Sequence, residues 1–194
     1  MTKNRLESFS DAVIAIILTI MVLEIRVPHS ADLAALKPLF PVILSYLLSF
    51  IYLGIYWNNH HHMFHTIERV SGSILWANMH LLFWLSLIPF TTGWVGENHF
   101  AAAPMALYGV VLFMCAVAYW ILQHFLITNH DHHNLLGRAV GKDLKGKASV
   151  GLYLISIPSA FIHPAISGSI YAFVALMWLI PDSRIEQKVA EREK

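Results

Sequence analysis

The residues with the most chemistry to offer are an aspartate, an arginine and a set of histidines, all in or beside apolar sequence. Asp11 follows Arg5-Leu6-Glu7-Ser8-Phe9-Ser10 and opens the run Ala12-Val13-Ile14-Ala15-Ile16-Ile17-Leu18-Thr19-Ile20-Met21-Val22-Leu23. Such a run is a candidate membrane span, and a carboxylate inside one is costly unless it faces protein or water. Arg5 and Asp11 stand about 240° apart around a helix, so each needs a partner on another helix. Two polar clusters can supply one: Trp57-Asn58-Asn59-His60-His61-His62 and Trp76-Ala77-Asn78-Met79-His80.

The histidines offer a different chemistry. His60, His61, His62 and His65 form H-H-H-x-x-H, and His130, His132 and His133 form H-x-H-H. Imidazole suits iron and zinc, and the spacings are similar to the histidine boxes of membrane di-iron oxygenases and desaturases. A metal-ion transporter is a related alternative. Against both, the segments between the apolar runs are short, and Asp131 is the one carboxylate beside a box. A transporter would also hold its ligands inside the spans, where this chain offers mainly His80 and His124. Solvated surface, interhelical packing and titration near neutral pH are the plainer readings.

Composition says what kind of element must hold these residues. Of 194 residues, 57% are hydrophobic and 13% charged, with a mean hydropathy of +0.57; soluble domains carry about a quarter charged residues. The chain is expected to be an all-α integral membrane protein of the lipid bilayer. A net charge of +1 with dispersed basic residues gives no stripe to track a phosphate backbone, so nucleic acid is not an expected partner. The single cysteine, Cys115, lies in an apolar run and has no intrachain disulfide partner.

Six spans of about 17–25 residues are expected, near 9–26, 38–58, 73–95, 101–127, 148–163 and 166–181. Pro158, Pro164 and Pro181 punctuate the last two, marking kinks or a tight hairpin. Residues 1–181 then make one six-helix transmembrane unit without internal repeat, and 182–194 a charged cytosolic tail. Placing both termini inside puts Lys3, Arg5, Arg69, Arg138, Lys142, Lys145, Lys147, Arg184, Lys188, Arg192 and Lys194 on the cytosolic side, against Arg26 and Lys37 outside. That is 11 of 13 basic residues, the bias of a chain with both ends in the cytosol. A signal-peptide reading of residues 1–31 is spoiled by Asp11 and Glu24.

On a wheel of about 100° per residue, Phe9, Ala12, Ile16, Thr19, Ile20 and Leu23 share one face of the first helix, and Asp11 looks away from it. By itself such a stripe suits lipid contact or core packing. The pattern Arg5-x-x-x-Phe9-Ser10-Asp11 at the start of a first membrane helix, followed by a small/Ile/Leu stripe with a single Thr, resembles the transmembrane protein 175 family of lysosomal and bacterial potassium channels. Trp57 shortly before His60 and His61, and Leu87-Ile88-Pro89-Phe90-Thr91-Thr92, also resemble it. Beyond residue 100 the sequence reads as generic membrane helix.

That resemblance implies a potassium-selective, leak-type channel rather than an enzyme, with no cofactor and potassium as the permeant ion. Bacterial single-repeat members assemble as homotetramers with the first helix of each subunit lining a central pore, and the single-repeat length suggests a prokaryotic plasma membrane. Carried over residue by residue, the constriction falls on Ile16, with Ile20 and Leu23 as further layers and Thr19 as the residue of potassium preference. Arg5, Phe9, Ser10, Asp11, Trp57, His60, His61 and Asn78 would form a structural polar motif; no metal ligand is implied. The chain has no Thr-Val-Gly-Tyr-Gly loop, so a filter of backbone carbonyls is not available, and a ring of aliphatic side chains would gate by dewetting. Glu24, past the stripe, either draws cations to the outer mouth or pairs with Arg26.

Overall fold

The computed structural model describes residues 2–67, 69–128 and 143–179. The 182–194 tail and His130, Asp131, His132 and His133 lie outside these described residues. Among the described residues there are seven α-helices and one 3-10 helix: α1 (Lys3–Leu23), the 3-10 helix (Leu33–Leu39), α2 (Phe40–His65), α3 (Gly72–Ser86), α4 (Ile88–Glu97), α5 (Ala102–Thr128), α6 (Leu144–Ile162) and α7 (Pro164–Leu179).

Each boundary has a local cause, and several differ from the hydropathy reading. The first helix starts at Lys3 rather than 9 and ends at Leu23 rather than 26, because the polar turn before Asp11 continues the helix and hydropathy cannot see it. Pro41 opens α2 at a position where a missing N–H costs nothing. That helix runs to His65, seven residues past the expected end, so the first histidine group rides on helix rather than in a loop. The expected third span is two helices, interrupted at Leu87 just before Pro89, as a proline at the start of a new helix dictates. Ser71 caps α3 by accepting from the Ile74 amide, and Asp143 caps α6 by accepting from the Gly146 amide at 3.1 Å. The extended backbone of His163 separates α6 from α7, the hairpin that Pro164 announced.

Four stretches are long and apolar enough to cross a membrane: Lys3–Leu23, Leu33–His65, Gly72–Glu97 and Ala102–Thr128. The expected fifth and sixth spans correspond to α6 and α7, which fall short of that measure; α7 has 16 residues, and α6 carries Lys145 and Lys147 in its first turn. In the interior, α2 packs on α4, and α5 packs on α3 and α6. The α2–α4 approach is close: a Cβ on Gly96 would lie 2.7 Å from both the Val42 Cα and the Ser45 Oγ. Small residues at such a crossing let backbones meet where lipid gives no hydrophobic drive. Neutral hydroxyls stitch the rest, with Ser49 bonded to Thr92 (2.7 Å) and Tyr108 (2.9 Å), and Tyr52 donating to the Tyr171 carbonyl (2.6 Å).

Candidate functional site

The two faces of α1 have opposite fates. Leu6, Ser10, Ile14, Ile17 and Met21 are buried, a spacing of three and four residues that defines one helical face. It packs on α2, α3 and α4. Arg5, Phe9, Ala12, Ile16, Thr19, Ile20 and Leu23 are all exposed; Ile16 is 58% and Leu23 76% open. The aliphatic stripe is therefore not core within a single subunit.

A buried polar chain fixes that orientation. Ser10 Oγ donates to the Leu6 carbonyl (2.9 Å) and accepts from Asn78 Nδ2 (2.9 Å), and Asn78 Oδ1 lies 2.7 Å from His60 Nε2. An amide oxygen only accepts, so His60 carries its proton on Nε2. Ser10, Asn78 and His60 are essentially inaccessible, and His60 stacks on Phe64 at 4.4 Å between ring centroids. Three helices are thus joined by groups that would each be costly to leave unpaired.

One residue further along, Asp11 accepts a hydrogen bond from Trp57 Nε1 at 3.0 Å on the exposed side. His61 stacks on Trp57 and meets His65 edge-on at 4.4 Å. The structure therefore brings Asp11 to Trp57, and Ser10 to Asn78 and His60, while His61 touches only the outer ring of this group. Arg5 departs from the sequence expectation: it makes no ion pair with another helix among the described residues. The reason is angular. At eleven residues from Ile16 it falls within about 20° of the same line, on the free face and not the collar.

At the other end of α1, Arg26 pairs with Glu97 of α4 (3.1 Å), so the expected alternative of a Glu24–Arg26 pair is not formed. Glu24 instead leans over Gly93, whose Cβ would stand 3.1 Å from Glu24 Oε2. Partial burial, and then the neighbouring Glu97, push the Glu24 carboxyl above its ordinary value near 4.5. The side chain of Thr19 donates to the Ala15 carbonyl at 2.8 Å, leaving its oxygen lone pairs facing outward. Among the described residues no three His, Cys, Asp or Glu side chains converge as metal ligands. Sequence reading missed the Ser49–Thr92–Tyr108 hydroxyls and the stacking of Phe64, for which period and spacing carry no signal.

Apolar helices long enough to span a bilayer define an all-helical integral membrane protein, and its first helix is pinned on one face and bare on the other. The family model for the endosomal/lysosomal potassium channel TMEM175 matches residues 5–89. A potassium channel of Chryseobacterium sp. (strain P1-3) is 52% identical over 98% of this chain and 100% of its own length. A potassium channel of Streptomyces collinus is 27% identical over 91% of each chain. The crystal structure of a lysosomal potassium-selective channel TMEM175 homologue from Chamaesiphon minutus superposes with a TM-score of 0.80 at 25% identity, covering 93% of this chain and 97% of that one. The chain belongs to the TMEM175 family.

Proposed function

We propose that this protein is a potassium-selective, leak-type channel of a prokaryotic plasma membrane, a homotetramer whose four α1 helices surround a central pore. In this reading α3 and α4 together make one crossing and α6 and α7 one each, giving six crossings with both termini in the cytosol. Ile16 forms the narrowest ring, Ile20 and Leu23 add layers, and Thr19 presents oxygen to an ion that has shed part of its water. Closure is by dewetting of the aliphatic ring. The observation that carries the reading is the free face of α1: its apolar residues are left bare by their own chain, while Ser10 and Asp11 hold the opposite side against α2 and α3. The family membership and the named activity of the relatives support it.

The test is potassium flux into liposomes containing only this protein, comparing wild type with Ile16→Asn and Ile17→Asn. Ile16→Asn should raise flux at unchanged yield, because a polar ring lets water wet the constriction. Ile17 is 3% exposed, so Ile17→Asn should instead reduce folding, at a cost of about 1–3 kcal/mol for an unpaired buried amide. Extra flux from Ile17→Asn and none from Ile16→Asn would mean that α1 is rotated relative to this assignment.

A further inference from the structure

Away from α1, a cavity of about 420 Å³ lies between α2, α5, α6 and α7. Its walls are aromatic, built from Tyr52, Tyr56, Tyr119, Trp120, Tyr153 and Trp178. The volume is that of an ordinary small-molecule pocket, and so apolar a space has little to offer water. Its charged and amide lining comes from Asn59 in the C-terminal part of α2 and from Asp143 and Lys147 at the start of α6. Tyr52 and Tyr153 lie seven residues from Asn59 and six from Lys147 along those helices, or about 10 Å.

The charges at the start of α6 are not equivalent. The Asp143 carboxylate accepts from the Gly146 amide and caps α6. Lys145 holds its ammonium 6.0 Å above the Trp178 ring. Lys147 is exposed and makes no ion pair among the described residues. Basic side chains at the end of an apolar helix sit at the level of lipid head groups. An anionic head with an apolar tail would satisfy both ends at once: the head against Lys147 and the tail along the aromatic slot.

We propose that this cavity binds a single alkyl chain carrying an anionic head group, supplied by the surrounding membrane. The source is either a free fatty acid or one chain of an anionic phospholipid, whose second chain would stay in the bilayer. Two of the α2 residues that line the slot, Tyr56 and Asn59, directly precede Trp57 and His60, which hold α1. Occupancy therefore braces the helix that positions the free face of α1 from behind. Binding itself does not depend on the conduction reading.

The experiment is photolabelling of the assembled protein with a diazirine analogue of palmitic acid, mapped by peptide mass spectrometry. Saturable labelling of the segments around Tyr52–Asn59, Ala116–Trp120 and Lys147–Tyr153 is expected. Ala116→Trp, which fills the slot, should abolish it, and Lys147→Glu should weaken apparent affinity about fivefold, the worth of one exposed charge pair. Competition by unlabelled palmitate alone identifies a free acid as ligand, and competition by phosphatidylglycerol identifies a phospholipid chain. Non-saturable labelling spread over outward-facing Phe161 and Phe173 overturns the proposal. So does wild-type labelling of both assembled variants; should Ala116→Trp fail to assemble, the exposed Lys147→Glu decides alone.

Discussion

Asn78 is the residue on which three helices agree. Its amide donates to Ser10 of α1 and accepts from His60 of α2, and neither bond has water as a fallback because all three groups are buried. Asn78→Ala strands the His60 N–H, and the expected loss is about 2–3 kcal/mol. Trp57→Phe removes a bond to a charged acceptor, which is intrinsically stronger, but Trp57 and Asp11 are exposed within the subunit and water can replace the donor. Thermal unfolding in detergent should rank Asn78→Ala well below Trp57→Phe, with Trp57→Phe near wild type. The reverse order would mean that Asp11 is dry in the assembled protein, sealed by a neighbouring copy. Sequence alone named both clusters as partners for the polar start of α1, because intramembrane polar groups must be answered. It did not distinguish the inward Ser10–Asn78–His60 chain from the outward Asp11–Trp57 bond, since adjacent residues on a helix point about 100° apart and only packing says which is inside.

At the scale of elements, helix existence was legible and helix ends were not. Hydropathy found α1, α2 and α5 because long apolar runs have few other folded solutions in lipid. It missed the histidine end of α2 and the first turns of α1, where polar residues extend a helix already nucleated. The contact between α2 and α4 was also invisible, because a glycine in an apolar run does not declare its neighbour. Gly96→Ala places a methyl against the Val42 backbone and should destabilise the protein by about 1–3 kcal/mol. Gly54→Ala, with open space around its Cβ, should be neutral or stabilising by up to about 1 kcal/mol through helix propensity. The α1–α4 junction carries a pH signature. The Glu24 carboxyl is raised by burial and then by Glu97, so the folded protein holds this proton more tightly than the unfolded chain. Its contribution to stability is fully present below the ordinary carboxylate range and is lost as pH rises through the raised value. Unfolding temperature measured across that window should therefore fall with rising pH more steeply in wild type than in Glu24→Gln, and equal slopes would show that Glu24 does not carry the effect.

For the whole molecule, the question is what covers the bare face of α1. The composition and the Arg5–Asp11 motif made a membrane protein of this family readable from the chain; what covers Ile16, Ile20 and Leu23 was not, because aliphatic side chains suit lipid and a second copy alike. Both environments accept aliphatic side chains at little cost, because lipid tails are as apolar as leucine. Arg5 lies on the same line of the helix, but in its first turn, where a guanidinium reaches head groups or water whichever way the stripe faces. Cross-linking decides between lipid and a second copy. Cys115 is the single cysteine of the chain, so a Cys115→Ala background leaves no competing thiol, and Ile20→Cys and Phe173→Cys can be introduced into it singly. If α1 helices of neighbouring subunits face one another around one axis, a short bis-maleimide acting on Ile20→Cys in native membranes should convert monomer to covalent dimer, the largest product that one thiol per subunit allows. Phe173, which is 57% exposed on α7, should give monomer under the same conditions. Covalent dimer from Phe173→Cys with only monomer from Ile20→Cys would place α7 at the centre of the assembly and turn the α1 stripe toward lipid.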